Sequence, residues 1–111
     1  MWIMTKAGFF SAVEDRENHE YVLVRARQLK DLVNLTNYLD GAHDIIAKED
    51  SDYRFRIRVT KTQWADAVAQ FSNDIDYSNF KAKIWEIDRK RADVYGDIWA
   101  ILYKLQLEDD N

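Results

Sequence analysis

Polar and apolar residues alternate most cleanly along Tyr53-Arg54-Phe55-Arg56-Ile57-Arg58-Val59-Thr60. A strand sends successive side chains to opposite faces. The spacing therefore predicts a strand with Tyr53, Phe55, Ile57 and Val59 on an inner face. Arg54, Arg56, Arg58 and Thr60 fall on the other. β-branched and aromatic residues on the first face fit a half-buried sheet. Tyr21 to Arg27 repeats the pattern: Val22, Val24 and Ala26 share one side, and Tyr21, Leu23, Arg25 and Arg27 the other. Trp2 to Glu14 reads as extended, with Gly8 marking a bulge or tight turn between two short strands. The polar loop Asp15 to Glu20 then predicts an antiparallel hairpin.

Helical spacing begins at Gln28 and runs to Leu39, with Leu29, Leu32, Val33, Leu35 or Thr36, and Leu39 on one stripe and Asp40-Gly41 as its stop. His43 to Ala47 predicts a short strand, and Lys48 to Asp52 an acidic turn. Thr60-Lys61-Thr62-Gln63 has the form of a capping box. It introduces a helix with Trp64, Ala67, Val68, Phe71 and Ile75 on its buried face. Ser78 is the expected cap of a last helical segment, about Asn79 to Leu107. In it Phe80, Ile84, Ile87, Val94, Ile98, Ile101 and Leu105 recur at four- and three-residue steps. Arg91 interrupts the stripe, so Asp88 to Arg91 is either a kink or a helix boundary. A second apolar strip carries Trp85, Tyr95, Trp99 and Leu102. The acidic tail Glu108 to Asn111 is expected to fray.

The element order is β-β-α-β-β-α-α. It predicts an α+β two-layer sandwich, with a small antiparallel sheet, helices on one face and a long C-terminal helix. At 111 residues the chain is read as a single domain. The formal charge of -4 argues against general coating of nucleic acid but leaves room for a local basic patch. With no cysteine, disulfides, thiolate zinc sites and thiol nucleophiles are excluded. No apolar run is long enough for a bilayer and no signal peptide is evident, so a cytoplasmic location is expected.

Three segments together resemble a family of short bacterial proteins without an assigned activity. They are Met1 to Val13, Asp52 to Val59, and Ile75-Asp76-Tyr77-Ser78-Asn79-Phe80-Lys81. That family opens with Met-Trp-Ile/Phe, carries a Gly-Phe-Phe/Tyr-Ser step and later an Ile-Asp-Tyr-x-Asn-Phe-Lys step. The resemblance implies a stand-alone domain and transfers no function. It singles out Asp76, Tyr77, Asn79 and Lys81 as family-like; a helix-entry motif is the simplest role for them.

The chemistry-bearing candidates are few. Arg25, Arg27, Arg54, Arg56 and Arg58 gather on one sheet face if their two strands are neighbours. Such a row is either a solvated face paired to carboxylates or a site for phosphate or carboxylate, which a guanidinium binds through paired hydrogen bonds. Lys6 to Val13 loosely echoes the RNA-recognition strand, although the aromatic spacing departs from it. Phe9 and Phe10 point to opposite faces, so at most one is free to stack on a base. His19 and His43 lack partners at metal-ligand spacing, so no metal or cofactor is expected. Asp74 and Asp76 are nominal acid–base candidates, but no catalytic residue is assigned, and an enzyme is the least supported class.

The leading expectation is a small binding module that meets nucleic acid or an acidic protein surface through its arginines. The alternatives are a protein-interaction or self-association domain using Trp85, Tyr95 and Trp99, or an acidic regulatory or inhibitory accessory protein.

Overall fold

The computed structural model of the chain describes residues 1–109. The chain divides into two compact units, Met1–Ile75 and Asp76–Asn111.

The first unit is an antiparallel sheet covered on one face by helices, an α+β arrangement. Its strands are β1 (Trp2–Met4), β2 (Phe9–Glu14), β3 (Tyr21–Ala26), β4 (Ile46–Ala47) and β5 (Phe55–Thr60), in the spatial order β1-β2-β3-β5-β4. Helices α1 (Leu29–Thr36) and α2 (Lys61–Asn73) follow β3 and β5. The inner sheet face carries Phe10, Ala12, Val22, Val24, Ala26, Ile57 and Val59. Leu32, Leu35 and Leu39 from the α1 side, and Trp64, Ala67 and Phe71 from α2, close over it. Phe10 anchors this core: its ring stacks on Phe71 at 5.7 Å and meets Trp64 edge-on at 6.1 Å. Burying such rings accounts for much of the apolar stabilisation of a small domain.

The capping box at α2 forms as expected. Thr60 Oγ1 accepts from the Gln63 amide at 3.1 Å, and Gln63 Oε1 accepts from the Thr60 amide at 2.9 Å. At the N-terminus Thr5 to Gly8 makes a tight turn between two short strands, one of the two roles expected of Gly8, so three strands precede α1 where the expected order counted two. The strand expected over His43 to Ala47 contracts to the two residues of β4.

Two helical stripes are also corrected. α1 is shorter than its spacing implied, and three-residue turns carry the chain from Asn37 to Leu39. A helix of two turns buries one narrow face, so Leu32 and Leu35 go inside while Leu29 and Val33 stay exposed. Ile75 lies past the end of α2 and is exposed.

The second unit is helical. Helix α3 (Phe80–Ile87) is capped by Asn79, whose side chain accepts from the Ala82 amide at 2.9 Å. Asn79, and not Ser78, thus holds the cap; either side chain is chemically suited to it. At Asp88 the backbone turns extended, with φ -157° and ψ 99°, and helix α4 (Arg89–Asp109) begins. Asp88 Oδ1 accepts from the Arg91 amide at 3.1 Å, so the interruption at Asp88 to Arg91 is a boundary between two helices. Phe80 stacks on Tyr95 at 6.0 Å, and Lys81 Nζ lies 4.0 Å from the Trp99 ring centre. Helix α4 extends through Glu108 and Asp109, two positions expected to fray; the rest of that tail, 110–111, lies outside the described residues.

Of the three glycines, Gly8 has the least freedom to vary. Its φ is +153°, and a Cβ there would meet Asp31 Cγ at 2.4 Å. Asp31 is buried and accepts from the Phe9 amide at 3.1 Å, and Asn34 Nδ2 donates to the Ala7 carbonyl at 2.9 Å, so α1 clamps the β1–β2 turn. Gly8→Ala is therefore expected to destabilise the fold by about 2–4 kcal/mol through strain and overlap with a buried side chain. Denaturant unfolding measures this directly, and an unchanged midpoint would mean that the turn is not clamped.

Candidate functional site

Strands β3 and β5 are hydrogen-bonded neighbours, with Tyr21 opposite Thr60, Leu23 opposite Arg58 and Arg25 opposite Arg56. Opposed residues of an antiparallel pair share a face. Arg25, Arg56 and Arg58 therefore share the outer face, while Val24 and Ile57 share the core. The registers of the other strands extend the central row: Trp2, Ser11, Arg25, Arg56 and Ile46 lie side by side across all five strands. Trp2 is 77% exposed. Phe9, two residues from Ser11 on β2, is half-buried on the same face, whereas Phe10 is wholly in the core.

The five arginines do not behave alike. Arg58 donates from Nε to Asp15 Oδ2 at 3.0 Å, and its guanidinium lies 3.9 Å from the Tyr21 ring centre. Arg54, just before β5, is exposed and paired with Glu49 at 3.5 Å. These two fit the solvated, charge-paired reading.

Arg25 and Arg56 differ. Arg25 Nη2 donates to Ser11 Oγ at 2.8 Å. Arg56 Nη2 donates to Ser51 Oγ at 2.6 Å and to the Tyr53 carbonyl at 3.1 Å. Each keeps a buried Nε without a hydrogen-bond partner. Among the described residues, no carboxylate pairs with either. Two like charges directly across a strand pair repel, and a buried unpaired donor adds a desolvation penalty. Arg27, beyond the end of β3, is exposed, and it too has no carboxylate partner among the described residues.

Tyr53 is the site residue that sequence reasoning misplaced. Its parity with Phe55 put it on the core face. The strand begins only at Phe55, so parity does not extend back to it. Tyr53 is buried, and its ring centre lies 4.6 Å from the guanidinium carbons of both Arg25 and Arg27. The result is a cluster of three guanidinium groups, one tyrosine ring and two serine hydroxyls. Nothing in the spacing of Ser11 or Ser51 marks them as part of it; only the pairing of β2 with β3 and the turn before β5 bring them in.

The remaining candidates lie elsewhere. Trp85 and Trp99 are exposed on α3 and α4, with the Arg89 guanidinium 5.0 Å from the Trp85 ring centre. Tyr95 is buried within the helical unit. Asp76 pairs with Lys83 at 3.6 Å, and the Tyr77 ring lies 5.7 Å from Phe80. Asp76, Tyr77 and the Asn79 cap thus contact the N-terminal part of α3, whereas Lys81 lies against Trp99 of α4. Asp74 accepts from the Tyr38 hydroxyl at 2.9 Å; burial, then this carboxylate, pushes the phenol upward. His43 bonds the Asp40 carbonyl, and His19 bonds Glu14. Glu14 is held below the usual carboxylate range by Lys61 first and by His19 as well. Among the described residues, no group of three His, Cys, Asp or Glu side chains comes together for a metal, and no helix is long and apolar enough to cross a membrane.

No protein-family model, curated protein or solved structure matches the chain. The functional reading therefore rests on geometry.

Asp15 ties the β2–β3 loop to this face. Its carboxylate is held below the usual range chiefly by the Glu17 amide, with the Asn18 amide and Arg58 adding to it. A carboxyl group with a lowered folded-state pKa stabilises the fold above its unfolded value and ceases to do so as pH falls through the folded one. Asp15→Asn is thus expected to lower the melting temperature at neutral pH, with the gap narrowing as pH falls through the folded-state value of Asp15 and its carboxyl becomes neutral. A gap that stays constant with pH would contradict this.

Proposed function

We propose that the protein is a small binding module that grips an anionic partner through Arg25, Arg27 and Arg56, and that the partner is single-stranded nucleic acid. One observation carries the reading: Arg25 and Arg56 are direct cross-strand partners without a carboxylate between them. A structural salt-bridge row would supply the missing counter-charges, as Asp15 and Glu49 do for Arg58 and Arg54. A phosphate meets the same need through charge-assisted hydrogen bonds, for which the guanidinium fork is suited.

The choice of nucleic acid over an acidic protein rests on the aromatics. Trp2 is exposed on the same row as the arginine pair, and Phe9 is half-buried on that face. Single-strand binders combine a cationic track with aromatic surfaces on which bases stack. The net charge of -4 adds long-range repulsion, so binding should be weak and sensitive to salt.

Titration against labelled single-stranded RNA, single-stranded DNA and duplex DNA at two salt concentrations tests this. Single strands are expected to bind, with log affinity falling linearly in log salt. Arg56→Gln and Arg27→Gln should each weaken binding and reduce the magnitude of the slope by about one phosphate contact. Arg54→Gln should change little, because Arg54 is already paired. Binding of an acidic peptide but of no nucleic acid would shift the partner class. Binding of none would return the arginines to a structural role.

A further inference from the structure

Helix α4 has 21 residues and α3 has eight. At about 1.5 Å per residue, α3 flanks only some 12 Å of a helix about 31 Å long. Every described residue from Trp99 to Asp109 is exposed. Yet this stretch is apolar, and an isolated helix end draws little stability from propensity alone.

Along α4, Val94, Ile98, Ile101 and Leu105 recur at steps of four, three and four. Ile98 is half-buried, while Val94, Ile101 and Leu105 are all more than half exposed, Ile101 at 62% and Leu105 at 63%. That spacing makes a continuous seam of the kind two helices pack together. Leu102, also exposed, widens it.

We infer that this seam pairs with the same seam of a second copy, the two α4 helices running antiparallel about an axis between Ile98 and Ile101. In that arrangement Ile98 meets Ile101 of the second copy, and Val94 meets its Leu105, so every apolar layer is filled. The flanking charges decide the orientation. Asp97 and Lys104 occupy equivalent flanking positions one heptad apart. Both are exposed, and neither makes an ion pair among the described residues. Antiparallel packing brings Asp97 within reach of Lys104 of the second copy, twice over by symmetry. Flanking charges of this kind set partner choice and direction in coiled coils. In a parallel pair Asp97 would face Leu102 of the second copy and gain nothing. The inference stands apart from the arginine face and uses none of its residues.

Sedimentation equilibrium of the full chain over a range of concentrations tests it. The wild type is expected to populate a dimer, and Ile101→Glu should yield a monomer with unchanged helical circular dichroism. Asp97→Lys and Lys104→Asp should each weaken the dimer by several-fold, and the double exchange should restore it. A strictly monomeric wild type would overturn the proposal. So would a dimer that Asp97→Lys and Lys104→Asp leave unchanged, since it would have to pack some other way.

Discussion

The register between β3 and β5 sets both faces of the sheet at once. Val24 opposite Ile57, and Val22 opposite Val59, place four aliphatic side chains under α1 and α2. The same register puts Arg25 opposite Arg56 on the other side. A slip by one residue would send the arginines into the core and the valines into water. The backbone positions of the cationic pair are therefore held opposite each other by the hydrophobic core. Ser11, Ser51 and the Tyr53 carbonyl satisfy part of its hydrogen bonding and none of its charge.

Alternation was the strongest signal in the sequence, and it carried furthest where strands are long and flanked on both sides. The inner and outer residues of β3 and β5 were legible from period two alone. So was the Thr60 to Gln63 cap, because its chemistry is local. What failed did so where an element ends. Tyr53 kept the parity of a strand that had not yet begun, and it joined the arginines. Ile75 kept the period of a helix that had already stopped. Leu29 and Val33 belonged to a stripe wider than a two-turn helix can bury. The adjacency of β3 and β5, on which the arginine cluster depends, is a nonlocal pairing that no single segment encodes.

The two units contrast in how they use apolar residues. In the first, the rings of Phe10, Trp64 and Phe71 interlock beneath the sheet. In the second, burial is confined to a few positions such as Ile84, Ala92 and Tyr95, and much of the apolar surface of α4 is left outside. One unit thus presents unbalanced charge and the other unburied hydrocarbon. Each is a departure from what a solitary, inert domain would display.

The central claim concerns the Arg25–Arg56 pair, and side-chain nitrogen NMR of the arginine Nε–H groups reads it atom by atom. On addition of a short single-stranded oligonucleotide, the account predicts that the Arg25 and Arg56 signals move together and saturate. Those of Arg54 and Arg58, already engaged by Glu49 and Asp15, should move much less. Signals of Arg25 and Arg56 that stay fixed while others shift, or that never shift with any anion, would contradict it.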